Sequence, residues 1–140
     1  SMEIMNKNLF TFCCTSVLFP IALLISKILK IDFQNKSNPL TKAGILFSVN
    51  QMLYILIVMW VYSAVPHKMV MVFAMVFGAH LMPFSWLYDS KNYLFFSIFI
   101  PIISLIVGIY CKPYIVAFIM LVIEIIFSIL LALENKTISN

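Results

Sequence analysis

Arginine is missing from this chain and glycine nearly so: all nine basic residues are lysines, and only three glycines occur in 140 residues. Without arginine there are no guanidinium forks for bases or phosphates, and no basic stripe with interleaved aromatics runs along the chain, so a nucleic-acid partner is not expected. So few glycines leave no phosphate-cradling loop. His-Glu-x-x-His, Cys-x-x-Cys and Gly-x-Ser-x-Gly are absent as well. Cysteine is sparse: Cys13, Cys14 and Cys111 have no zinc spacing and no lipoprotein context, and read as small apolar side chains. His67 and His80 fall at different depths, so no bis-histidine haem site forms. No metal, no cofactor and no catalytic residue is expected, and the chain is not read as an enzyme. Charge is the last scarcity. Charged residues make up 10% of the chain, against about 25% in soluble domains.

What fills the space is apolar. Hydrophobic residues account for 64% and the mean hydropathy is +1.09, more than a soluble core of this size absorbs. Five runs approach or exceed the roughly 20 residues that span a bilayer: Leu9–Ser26, Ala43–Val65, Met69–Leu87, Tyr93–Cys111 and Tyr114–Leu133. Each is two to three times the length of a barrel strand. The expected fold is therefore all-α, a polytopic transmembrane helix bundle forming one integral membrane domain over residues 1–140, with Ser1 ahead of Met2 read as a cloning remnant.

The connections set the topology. Pro66-His67-Lys68, Tyr88–Asn92 and Lys112-Pro113 are short enough to demand antiparallel hairpins, giving an up-and-down order. The polar connection Lys27–Lys42 is longer and contains Asn38-Pro39, a turn and helix-start signal. Lys27, Lys30, Lys36, Lys42, Lys91 and Lys136 fall on one side, and Lys7, Lys68 and Lys112 on the other. The positive-inside rule then places the N-terminus outside and the C-terminus inside a cytoplasmic membrane. Trp60, Tyr62, Trp86, Tyr88, Tyr93, Tyr110 and Tyr114 fall near the ends of the runs, as interfacial aromatics do.

Within the spans the few polar residues are the candidates for function. A bare carboxylate such as Glu124 at that depth costs at least about 2–3 kcal/mol on insertion scales, so its side chain must be neutral or paired. Counting along each run puts Asn50, His80 and Glu124 roughly 10–14 Å below one face. They define a polar layer, with His80 the membrane-depth partner available to Glu124. Pro83 removes the N–H that the Ala79 carbonyl would accept, which kinks the third helix beside His80. Asn50 and Gln51 point about 100° apart, and one of them is expected to bond across to the third helix. Gly44 and Ser48, Ala74 and Gly78, and Ser104 and Gly108 are small pairs four apart that permit close helix approach.

The stretch Asn38–Pro66, followed by Phe77–Tyr88, resembles a family of uncharacterised prokaryotic multi-pass membrane proteins known as a domain of unknown function. Asn38-Pro39-Leu40 and the Gly-x-His-x-x-Pro pattern at Gly78, His80 and Pro83 carry the resemblance, which extends from about Phe19 onward. It implies one further apolar segment upstream, of which this chain would be a shortened version, and it brings no activity. The functional expectation is a small-solute or proton-coupled carrier or channel using Glu124, His80 and Asn50. The alternative is a non-transporting membrane scaffold or sensor subunit, with a lipid-modifying enzyme ranked last. Membrane lipids, and a homodimer or a further partner helix, are the expected partners.

Overall fold

The computed structural model describes residues 2–28 and 39–138. They form five helices: α1 (Met2–Ile28), α2 (Pro39–Ala64), α3 (Met69–Tyr88), α4 (Lys91–Tyr110) and α5 (Pro113–Ile138), with a single 3-10 turn over Pro66–Lys68. No strand occurs among the described residues. Four stretches, Leu40–Ala64, Pro66–Tyr88, Lys91–Tyr110 and Pro113–Glu134, are long and apolar enough to cross a membrane. The remaining expected span, Leu9–Ser26, falls within α1, where the side chains at 15–20, 22–23 and 25–27 lie outside the described residues. The same holds for positions 29–38 of the polar connection, and so for Lys30 and Lys36 in the lysine bias.

Local chemistry explains the boundaries. Helix α2 starts at Pro39 and α5 at Pro113, where a missing N–H costs nothing because the first helical N–H groups have no partner anyway. Helix α2 ends at Ala64 because Val65 precedes Pro66 and is pushed to an extended φ of −141°. At the end of α3, Asp89 takes a left-handed φ of 48°. This lets the Ser90 N–H reach the Ser85 carbonyl at 3.0 Å and the Asp89 N–H reach that of Trp86 at 3.4 Å, a Schellman closure. The Ser90 hydroxyl then accepts from the Tyr93 N–H at 3.3 Å and caps α4. Two residues thus stop one helix and start the next.

Helix α3 is the centre of the bundle, packed against α2, α4 and α5. Its closest approach is to α4. A Cβ placed on Gly78 would fall 2.5 Å from Pro101 Cδ and 2.7 Å from Ile100 Cβ, so only glycine lets the backbones meet there. Ala74, Ser97, Ser104 and Gly108 are buried at the same contact. Helix α5 adds the stripe Val116, Met120, Ile123 and Phe127, which packs with Ala74, Leu81, Phe96 and Ile100 into the main core. The spacing of four, three and four residues keeps those four side chains on one face. A smaller cluster of Val58, Val61 and Met69, with Phe12 against it, ties α2 and α3 to α1.

Four contacts between distant parts of the chain fix the alternation of direction. At one face the Asn8 amide donates to the Pro66 carbonyl at 2.7 Å, and the Lys68 ammonium donates to the Gly108 carbonyl at 2.7 Å and the Ile109 carbonyl at 3.3 Å. At the other face Gly44 lies against Leu87, and the Ser90 hydroxyl and Asn92 amide donate to Glu134 Oε2 at 2.6 and 2.9 Å. Outside, Leu46, Leu53, Leu56, Ile102, Ile109, Phe118 and Ile129 are all exposed. An apolar perimeter of this extent matches hydrocarbon, not water.

Candidate functional site

Asn50, His80 and Glu124 share one depth. Asn50 lies ten residues from Leu40, His80 eight from Tyr88 and Glu124 ten from Glu134, which places all three about 12–15 Å from the same face. Their directions differ. His80 is buried at 8% exposure, with its ring edge-on to Phe84 at a centroid distance of 5.0 Å. Phe84 in turn meets Phe47 of α2 and Tyr93 of α4, and Tyr93 meets Phe127 of α5. His80 therefore begins an aromatic chain through four helices, where edge-to-face geometry adds to burial.

Asn50 does not bond across to α3. Its amide donates to the Tyr54 hydroxyl at 3.0 Å, one turn along its own helix. Because α2 begins at Pro39 and contacts α3 near Gly44, Phe47, Val58 and Val61, Asn50 falls beside the contact and finds its nearest acceptor within α2. Glu124 points elsewhere again: its side chain is exposed on the outer flank of α5. Among the described residues no hydrogen bond or ion pair joins Glu124 to His80 or Asn50.

Pro83 lies inside α3, as its position in the run requires, and Pro101 lies inside α4. Sequence reading singled out only the first. The two helices run antiparallel with Gly78 against Pro101, so each carries a proline within about two turns of the same depth while remaining one continuous helix. Ser85 spends its hydroxyl on the Met82 carbonyl at 2.7 Å, not on the carbonyl freed at Ala79.

Four further polar residues hold the bundle at its ends. Asn8, Lys68, Ser90 and Glu134, with Asn92 beside Ser90, make the long-range bonds given above, and Asn8 and Ser90 are buried. The usable signals were Asp89-Ser90 ahead of an apolar run, which is a cap pattern, and an acid immediately after the last run. A cleft of about 180 Å³ is lined by Leu9, Phe12, Val58, Met59, Tyr62 and Met69. None of the polar layer lines it.

The chain belongs to a family of unknown function (DUF7010), whose match over residues 1–134 begins ahead of the expected start at about Phe19. Neither the curated proteins nor the solved structures compared with it return a match.

Proposed function

We propose that this member of a family of unknown function is a non-catalytic membrane assembly module, whose mid-depth polar groups join helices instead of conducting a solute. One observation carries the reading: Glu124, the acid at mid-span, looks out of the bundle while His80 is packed inside it against Phe84. A carrier brings its polar groups together around a cavity at the midplane. Here one group is enclosed, one serves its own helix and one faces the perimeter. An outward acid has value where another helix covers it, since lipid offers it no partner. The lysine bias supports a cytoplasmic membrane setting with the Ser90 and Glu134 face inside.

The carrier reading keeps one observation on its side, the coincidence of Pro83 and Pro101 near the depth of His80, because broken helices build transport sites. Proton flux separates the two. Purified protein in liposomes carrying an internal pH dye, with a potassium diffusion potential imposed by valinomycin, is expected to acidify no faster than protein-free liposomes. Flux that disappears in Glu124→Gln or His80→Phe would establish the carrier instead.

A further inference from the structure

Glu124 is ten residues from Glu134 and eleven from Pro113, the two ends of the α5 span, so it lies about 15 Å from either surface. Its carboxyl has no hydrogen-bond or ion-pair partner among the described residues. Ser128, one turn further, is also exposed, with its hydroxyl donating to the Glu124 backbone carbonyl at 2.8 Å. At 100° per residue, Ala117, Leu121, Glu124, Ser128 and Ala132 form a second stripe about 110° around α5 from the buried one. All five are exposed. Their spacing is that of a helix–helix seam, and three of them are small enough for close approach.

The occupant of this stripe has to satisfy a carboxyl deep in hydrocarbon. The chain has no arginine, its lysines within the four spans stand at their ends, and His80 is enclosed on α3. A carboxylic acid is both donor and acceptor, so it is its own complement. Two copies inserted in the same direction can be related by a twofold axis only along the membrane normal. That operation brings each residue to its equivalent at equal depth. We propose that α5 is the homodimer face of this protein, with Glu124 hydrogen-bonded to the partner's Glu124 and the small residues of the stripe setting the approach. The proposal rests on the assembly reading and names its partner: a second copy of this chain.

The test uses the full chain in lipid vesicles, with Cys13, Cys14 and Cys111 replaced by serine and single cysteines introduced by Leu121→Cys, Ser128→Cys or Ile126→Cys. Copper-phenanthroline oxidation is expected to yield covalent dimer for the first two. It should yield none for Ile126, which is exposed on the opposite flank of α5. Dilution of fluorescently labelled protein into detergent gives the affinity. Glu124→Gln keeps donor and acceptor and should hold it within about threefold, while Glu124→Leu should weaken it about tenfold. If the leucine variant does not fold, the cross-linking pattern with Glu124 intact decides alone. A monomer at every dilution, cross-linking at Ile126 equal to that at Ser128, an unaffected leucine variant, or cross-links in native membranes to a different protein would each overturn the homodimer. A monomer without proton flux leaves the assembly reading standing. Flux lost in Glu124→Gln removes that reading whatever the oligomeric state.

Discussion

Alanine placed at each of the three glycines in turn should separate a close helix crossing from ordinary contact. At Gly78 the added Cβ meets Pro101 Cδ at 2.5 Å and two atoms of Ile100 at 2.7 Å, about 0.9 Å inside the 3.4 Å where ordinary contact begins. Neither neighbour can swing aside, because one belongs to a proline ring and the other includes the Cβ of a residue with 0% exposure. Helices α3 and α4 must therefore separate, and overpacking of this kind costs about 1–3 kcal/mol. Alanine's higher helix propensity returns about 1 kcal/mol, leaving a net loss of up to about 2 kcal/mol. At Gly108 the new Cβ meets Met71 Cγ as its nearest atom, with Met71 Cβ and Sδ at 2.6 Å; Cγ and Sδ can rotate away but Cβ cannot, so a loss comparable to that at Gly78 is expected. At Gly44 the nearest atom is Leu87 Cδ2 at 3.4 Å, which is permissible. Gly44→Ala should be neutral or stabilising. Equilibrium unfolding in mixed micelles, followed by the fluorescence of Trp60 and Trp86, reads all three. A Gly78→Ala protein as stable as Gly44→Ala would refute the α3–α4 contact as described.

Two other perturbations address the ends of the bundle. Ser90→Ala removes both the cap on the Tyr93 N–H and one of the two bonds to Glu134, and should cost about 1–2 kcal/mol in the same unfolding assay; Ser90→Thr, which keeps the hydroxyl, should recover most of it. Lys68→Met keeps the apolar stem but deletes the ammonium that reaches the Gly108 and Ile109 carbonyls at the C-terminal end of α4. A loss of about 1 kcal/mol is expected, with faster amide exchange at the start of α5, where the Ile115 N–H bonds the Lys112 carbonyl.

The helices and hairpins were readable because lipid leaves the backbone little choice: an apolar run of spanning length must satisfy its own hydrogen bonds. Boundaries were read less well where polar residues extend a helix past its apolar run. Helix α2 takes in Pro39 to Lys42, and α5 continues beyond Leu133 to Ile138. The small pairs at Ala74 and Gly78 and at Ser104 and Gly108 did mark the inner face of the α3–α4 hairpin. The end contacts went unread for another reason. Asn8 and Pro66 are 58 positions apart, Ser90 and Glu134 44, and Lys68 and Gly108 40. Such pairs emerge only after asking which helix ends coincide at one face.

Direction around a membrane helix is harder to read than depth, and here it is what separates the two functional readings. Counting residues fixes how far a side chain lies from the surface, whereas its direction depends on which stripe the neighbouring helices cover. When nearly every residue of a helix is apolar, no polar face identifies the outside. Helix α5 carries two stripes with seam-like spacing, Val116-Met120-Ile123-Phe127 and Ala117-Leu121-Glu124-Ser128, and the bundle buries the first. Bulk explains the choice, since Met120, Ile123 and Phe127 fill the space beside Phe96 and Ile100 that alanine and serine would leave open. Packing thus turns the acid outward, and with neighbouring helices about 8–10 Å apart, a side chain on that flank cannot serve a site inside the bundle. The depth shared by Asn50, His80 and Glu124 is a layer without a centre. For Glu124 the chemistry moves from the interior of one chain to the perimeter, where the proposed second copy would supply the hydrogen bond that the first lacks.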